Sequence, residues 1–330
     1  MLLIICVAAL WRGWLIQVER VHFDSDEAVV GLMAQHITQG KTVPTFYYGQ
    51  DYMGSLDALL IAGGFRLAGT SVHTIRMVQL ILYLLSIVTG YLLAYEISKR
   101  QTVALFTALL LAIPTMLGTL YTTITLGGYN EIILFGNLIL LLGWQVTVEG
   151  LPAWWRWFAL GLLGGLGWWV NGAIITPLIV VGLLGLRHFR TQNWHSYLIA
   201  LSAFFIGSAP WWIYNLNHDW AALDFLLNNK PPPDVKPLTI IDKLLAFGLI
   251  GLSTLYGFRF PWEARFQESG LSLLAAVIYL LLITDALTGF YAKMRRKHFS
   301  VPGVDRFPPV WALYGALFAV FMLSPFQDAT

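Results

Sequence analysis

Charged residues are scarce in this sequence: 12% of its 330 residues, where an ordinary soluble domain carries about a quarter. Charge at that level cannot cover the surface of a soluble domain of this length. Cysteine is nearly missing as well. The single thiol, Cys6, lies inside the first apolar run, which excludes internal disulfides and a Cys-based metal site. The formal net charge of +2 is small and spread along the chain, which argues against a nucleic-acid partner. There is no P-loop, no dinucleotide-binding glycine fingerprint and no Gly-x-Ser-x-Gly elbow, and no His/Asp cluster has metal-ligand spacing. The first apolar run begins at Met1 with no basic stretch and no small-residue cleavage site, so it reads as a span and not as a signal peptide. The expectation is that the front edge of this span is missing and that the chain is a fragment at both ends.

Apolar residues fill the space that charge leaves. They make up 57% of the chain, with a mean hydropathy of +0.67. Runs long enough to cross ~30 Å of hydrocarbon, roughly 20 residues each, recur at 1–17, 74–96, 102–122, 130–148, 157–170, 173–186, 197–213, 268–291 and 308–325. These predict an all-α, polytopic transmembrane bundle, a single domain over 1–330 with about nine spans. The short runs 157–170 and 173–186 read as a tight pair joined by Trp168-Trp169-Val170-Asn171-Gly172. Two long loops separate the spans, 18–73 and 214–267. In the first, 27–39 places Val29, Leu32, Met33, His36 and Ile37 on one helical face, the pattern of a helix lying at the membrane interface. The stretch 55–68, interrupted by Gly63-Gly64 and Arg66, reads as a second interfacial or re-entrant helix.

Short, sharply basic loops give the orientation: Lys99-Arg100, Arg156, Arg187 with Arg190, and Lys293-Met294-Arg295-Arg296-Lys297. They share one side if the apolar stretch 240–257 does not cross, and that side is then cytoplasmic. Of the 18 acidic residues, all but Glu96, Glu149, Asp285 and Asp305 fall on the other side or at span ends there. The two long loops are on that acidic, outer side, which is where chemistry is expected.

Three patches on the outer side carry reactive groups. Asp24-Ser25-Asp26-Glu27 follows the first span. Asp24 as N-cap with Glu27 three residues on is a capping box, and acids suit the positive end of a helix dipole. That leaves Asp26 unassigned, free to take a proton from a hydroxyl or amine. The second patch is Thr45-Phe46-Tyr47-Tyr48-Gly49-Gln50-Asp51-Tyr52-Met53-Gly54-Ser55. Its rings and polar tips suit a sugar, and equally a belt of tyrosines at headgroup level. The third, Gly127-Gly128-Tyr129-Asn130-Glu131, opens the fourth span with a boundary carboxylate, a costly group that marks a functional site unless the helix dipole explains it. Arg76, Lys230, Lys236, Arg259 and Arg265 are the basic groups able to hold a phosphate, although single arginines at span ends more often snorkel to headgroups. Asn215 and His218 close the seventh span, with His218 read as structural, and Lys230-Pro231-Pro232-Pro233 reads as a stiff linker.

The order of a first span, an Asp-Glu pair opening an amphipathic helix, an aromatic loop and Arg76 heading span two resembles the GT-C glycosyltransferases. Within them it is most similar to bacterial relatives of protein O-mannosyltransferases and lipid A aminoarabinose transferases. The resemblance covers most of the chain, most clearly 12–100, then Gly127–Glu131 and Trp155–Asn171. It implies a cytoplasmic-membrane enzyme whose active site faces outward. Such an enzyme moves a sugar from a polyprenyl-phosphate carrier to a glycan, lipid or protein acceptor, with inversion and without a cofactor or metal. The resemblance assigns the catalytic base to Asp26 with Glu27 beside it. It places Asp24, Tyr47, Tyr48, Gln50, Asp51, Tyr52, Tyr129, Asn130 and Glu131 at the substrate, and makes Arg76, Arg259 and Arg265 candidates for the phosphate. The chain departs from these relatives in carrying Tyr52-Met53-Gly54-Ser55 where the aminoarabinose transferases tend to have a Lys-Pro-Pro type sequence. It also stops just after a span, where the family usually continues. The competing readings are a flippase or transporter for lipid-linked sugars and a non-catalytic membrane assembly subunit.

Overall fold

The computed structural model describes residues 1–19, 21–151, 153–187, 194–228 and 239–255. All regular structure among the described residues is helical. Two compact units are distinguished, a larger one of Met1–Ile113 with Tyr121–Asn229, and a smaller one of Pro114–Leu120 with Lys230–Thr330. In chain order the helices are α1 (Leu2–Gln17), α2 (Ser25–Thr38), α3 (Leu56–Ala68), α4 (Val72–Ser98), α5 (Gln101–Ala112) and α6 (Met116–Tyr121). They continue with α7 (Tyr129–Thr147), α8 (Trp154–Val170), α9 (Ile175–Arg187), α10 (Trp194–Gly207), α11 (Ala209–Asn217) and α12 (Ala221–Asn228). In the smaller unit α13 (Ile240–Leu245) opens on a Thr239/Asp242 capping box, widens into π-type turns over Ala246–Gly251 and ends in α14 (Leu252–Leu255). The stretch 240–257 is thus helical as far as Leu255.

By length and composition α4 and α7 can each cross a membrane. The helices α10 and α11 pass as one broken span, bent by 59° next to Pro210, which has no N–H to continue the hydrogen-bond ladder. The helices α1 and α5 are apolar but shorter. The expected spans 268–291 and 308–325 lie outside the described residues.

The run 102–122, read from sequence as one span, is broken. Pro114 has no N–H and pushes Ile113 out of the helical region, to φ −121° and ψ 68°, so α5 stops at Ala112. Its orphaned end is satisfied from α4, where the Tyr83 hydroxyl meets the carbonyls of Leu111 and Ala112 at 2.9 and 3.0 Å. At the basic end of the helices Lys99 ends α4 in the left-handed conformation and reaches Glu96 at 2.9 Å and Glu149, after α7, at 3.6 Å.

The helices α8 and α10 approach so closely that their glycines are a steric requirement. A Cβ on Gly161 would strike the carbonyl of Ala200, and one on Gly165 the carbonyl of Phe204. Small residues at such crossings let backbones meet where lipid offers no hydrophobic drive for helix association. Gly165→Val should lower the thermal midpoint in detergent, at a cost of about 1–3 kcal/mol. Gly182→Ala, on α9 with open space around it, should leave the midpoint unchanged or raised.

The interfacial helix predicted over 27–39 forms as α2, but its buried face is rotated. Glu27, Val30, Met33, Ala34 and Ile37 are inside, whereas Leu32 is exposed. The cause is Glu27, which a hydrophobicity count places outside. Arg76 of α4 donates Nε to Glu27 Oε1 at 3.2 Å and Nη2 to Oε2 at 3.0 Å, with 3% and 0% of the two residues exposed. A two-pronged pair is the geometry an arginine offers a carboxylate, and it turns α2 so that its stripe meets Ala58, Ile61, Ala62 and Phe65 of α3. Arg76→Ala leaves a buried carboxylate unpaired and should cost about 3–5 kcal/mol in denaturant or thermal unfolding. The combined Glu27→Gln/Arg76→Met variant should recover most of that loss.

Candidate functional site

Three loops interlock at one end of the larger unit, opposite the Lys99–Glu149 contact in the helices that join them. The aromatic loop closes on itself through the Tyr47 N–H to Met53 carbonyl bond at 2.7 Å and a bridge between Phe46 and Gly54. It is fastened to the end of α8 by the Gly54 N–H to Val170 carbonyl bond at 2.9 Å, a Met53–Asn171 bridge, and Trp169 Nε1 donating to the Thr45 carbonyl at 2.8 Å. Gly54 can hold no Cβ there, because the Trp169 carbonyl occupies the space. The turn before α7 joins through Asn171 Nδ2, which donates to the Gly127 carbonyl at 3.4 Å.

The acidic stretch sits at this end, and its three acids have separate fates. Asp24 caps α2, accepting the Asp26 N–H at 2.8 Å, while Glu27 accepts the Asp24 N–H at 3.3 Å and pairs with Arg76. Asp26 is half-buried. Its Oδ1 accepts the Tyr47 hydroxyl at 3.1 Å, and Oδ2 has no hydrogen-bond partner among the described residues. Burial, joined by the Asp26 charge, pushes the Tyr47 phenol far up, which keeps it a donor. Tyr52 is raised too, by burial, by Tyr129 and by Asp26. Of these phenols only Tyr47 bonds to Asp26.

The other residues of the aromatic loop are placed unevenly. Tyr47 is 5% exposed and Tyr52 lies flat on Phe225, centroids 4.5 Å apart and 4° between planes, so neither ring keeps an open stacking face on that side. Tyr48 is exposed, with its hydroxyl 3.0 Å from His36 Nδ1. Burial, joined by Asp51, pushes the Tyr214 phenol up, and the buried Gln50 Oε1 has no partner among the described residues. His218 stacks on Tyr214 with centroids 3.9 Å apart, while Asn215 ties α11 to α12 through the Leu223 N–H at 3.1 Å. Lys230, Lys236, Arg259 and Arg265 lie outside the described residues.

Beneath Tyr129 is a polar cluster with no signal in hydrophobic periodicity. Asp57, in the first turn of α3 and 2% exposed, accepts Gln79 Nε2 at 2.8 Å and the Thr125 hydroxyl. Burial outweighs these donors and raises the Asp57 carboxyl above the usual carboxylate range. Asn130 Nδ2 donates to Gln79 Oε1 at 2.9 Å, and Glu131 is 1% exposed. Arg12, inside α1 and 1% exposed, lies 4.4 Å over the Tyr83 ring and donates to Thr123. Sequence spacing alone pointed to neither Asp57 nor Arg12. The usable signal was only that each is an ionisable residue in an apolar helix.

A cleft of about 390 Å³ opens beside the site, between the end of α1 and the start of α4. Ile16, Val21, Phe23 and Val72 give it an apolar wall, and Glu19, His22, His73 and Arg76 a polar one. Arg76 also donates to the His22 carbonyl at 3.2 Å, so among the described residues its Nη1 alone has no protein acceptor. No group of three or more His, Cys, Asp or Glu able to hold a metal occurs among the described residues.

No protein-family model matches the chain, and no curated protein does. Among solved structures it is similar to the crystal structure of ArnT from Cupriavidus metallidurans in the apo state, at 16% identity and a TM-score of 0.49. The similarity covers 90% of this chain and 55% of that one, so the chain spans about half the length of that protein.

Proposed function

We propose that this chain is a membrane glycosyltransferase that moves a sugar from a polyprenyl-phosphate carrier to an acceptor hydroxyl or amine. Asp26 is its general base. The observation that carries the reading is the state of Asp26. Of the two acids the resemblance puts at the catalytic centre, Glu27 is buried against Arg76, whereas Asp26 is reachable and keeps an oxygen unbonded among the described residues. A base needs hydrogen-bond reach to the proton it removes, and the unbonded oxygen of Asp26 is the group that would supply it.

The reaction is a single displacement. Asp26 takes the acceptor's proton as the acceptor oxygen or nitrogen bonds to the anomeric carbon. The bond from that carbon to the phosphate oxygen breaks, its electrons leave with the phosphate, and the anomeric centre inverts. Tyr47 holds Oδ1 in place, so that Oδ2 meets the acceptor. Tyr52 and Tyr129 bound the space for the sugar, and Tyr48 offers an exposed ring. The carrier phosphate is assigned to the cleft beside Arg76, where Nη1, His22, His73 and the first N–H groups of α4 are donors. The apolar wall would receive the start of the lipid chain. Arg76 serves the phosphate with one nitrogen only, because Glu27 takes the others.

A flippase would need a polar path through the spans. The buried charge in α1 speaks against one, since Arg12 is engaged by Tyr83 and Thr123 and so joins helices together.

Purified protein given a synthetic polyprenyl-phosphate sugar and a panel of acceptors should show transfer. Asp26→Asn should reduce it by roughly 10²–10⁴-fold with an unchanged thermal midpoint. Full activity in Asp26→Asn would remove the base assignment, and no transfer with any donor would favour the competing readings. His73→Ala, which leaves the Glu27–Arg76 pair intact, should raise the KM for the donor while kcat changes little. An unchanged donor KM would place the phosphate elsewhere.

A further inference from the structure

Two neighbouring residues between α11 and α12 hold a backbone conformation that their side chains disfavour. Asp219 has φ +50° and Trp220 has φ +62°, both in the left-handed region. Aspartate is tolerated there, but a bulky tryptophan is an outlier. Such strain persists only where surrounding contacts enforce it. Here the enforcing residue is Asn215, which is 0% exposed. Its carbonyl accepts the Trp220 N–H at 3.0 Å, its Oδ1 accepts the Leu223 N–H at 3.1 Å, and its Nδ2 donates to the Trp211 carbonyl at 2.9 Å. One buried amide therefore bends the chain through 219–220 and ties the start of α12 to α11.

What the strained turn delivers to the site is Phe225. The helix α12 has 8 residues, and of its described side chains only Ala222 is fully buried, in the cluster with Phe46, Trp169 and Trp211. Its hold on the rest of the unit is light for that reason. Phe225 lies flat on Tyr52 of the aromatic loop, with 4° between planes and centroids 4.5 Å apart. Tyr52 also packs on the core shared by α2 and α3, so Phe225 is its cover from α12. The C–H face of a sugar ring packs on a phenol in the same flat manner.

We propose that α12 is a cover hinged at Asp219–Trp220, and that Phe225 occupies the face of Tyr52 on which the donor's sugar ring binds. The closed form is held by Asn215 and the ring stack. It is opposed by the strain of the turn, which opening relieves. A donor binds only the open fraction, so its apparent affinity falls with that fraction. The sugar's place rests on the transferase reading, whereas the hinge does not.

Opening is read by double electron–electron resonance between spin labels at Leu227→Cys on α12 and Gln39→Cys at the end of α2, both exposed, in a Cys6→Ala background. One major and one minor distance are expected. Asp219 is exposed, so changing it alters the turn and not the ring stack. Asp219→Gly, which relieves a left-handed residue, should shrink the minor population by roughly fivefold, and Asp219→Ala should enlarge it. Phe225→Ala should enlarge it too, with Phe225→Leu in its place if the alanine variant does not fold. A single distance that none of these variants changes would overturn the hinge.

With the synthetic polyprenyl-phosphate sugar as probe, Phe225→Ala should lower the donor KM several-fold while kcat changes little. Adding that donor to the labelled protein should enlarge the minor population. A donor KM that rises or stays level in Phe225→Ala would overturn the assignment of the Tyr52 face, because Phe225 would then be a fixed wall. Two distances that respond to Asp219 in a protein without transfer activity would uphold the hinge and count against the transferase reading only.

Discussion

Glu27 and Arg76 have almost no contact with solvent, and together they decide how α2, α3 and α4 are put together. Bringing two charges out of water costs several kcal/mol per ion, and only close, well-directed hydrogen bonds repay that. The two-pronged contact does so here. Three further features depend on it. It sets the rotation of α2 and hence which stripe packs on α3. It fixes the Asp24–Glu27 end of α2, which points Asp26 away from the pair. It also directs the remaining edge of Arg76 toward the cleft at the start of α4. A capping box, an ion pair and a cleft wall share the same two side chains.

The site is built on buried polarity to an extent that the apolar composition conceals. Asp57, Gln79, Asn130 and Thr125 form one hydrogen-bonded group where three helices and a turn converge. In a low-dielectric interior such bonds are strong and unpaired groups are costly, so the group admits few arrangements. Irregular backbone over 122–128 is shielded by protein, with Thr122, Thr123, Ile124 and Thr125 buried. Rigidity under the site and openness above it coexist for that reason. The phenols of Tyr47, Tyr52 and Tyr129 are held from beneath and from the side, and Asp26 keeps one oxygen open.

Much of the fold was legible in the sequence, and the parts that were not share a cause. The helices α1, α4, α7 and α8 follow the apolar runs closely, because a run of that length in lipid has no other way to satisfy its backbone. The helix α2 was legible in its extent and its cap, since Asp24 and Glu27 carry a local signal. Its buried face was misread by a rotation because Glu27 was counted as polar, and its partner is 49 residues away. The break at Pro114 was written in the residue itself but was outvoted by the hydrophobicity on either side. In the site, Asp26 and Tyr47 were singled out by their local company, and the Tyr47 hydroxyl donates to Asp26 at 3.1 Å. Asp57 was missed because its neighbours in sequence are plain helix formers and all its partners are distant.

The sequence by itself determined that this is a helical membrane protein, because its composition and the length of its apolar runs suit lipid and not water. It also determined the start of α2, since a capping box needs only four consecutive residues. The tertiary structure alone decided which acid is spent and which is free. Glu27 and Asp26 are adjacent and chemically alike. The difference between them is the guanidinium of Arg76, brought from another helix to one and not to the other, and hydrogen bonds between distant segments leave no periodicity in the chain that forms them.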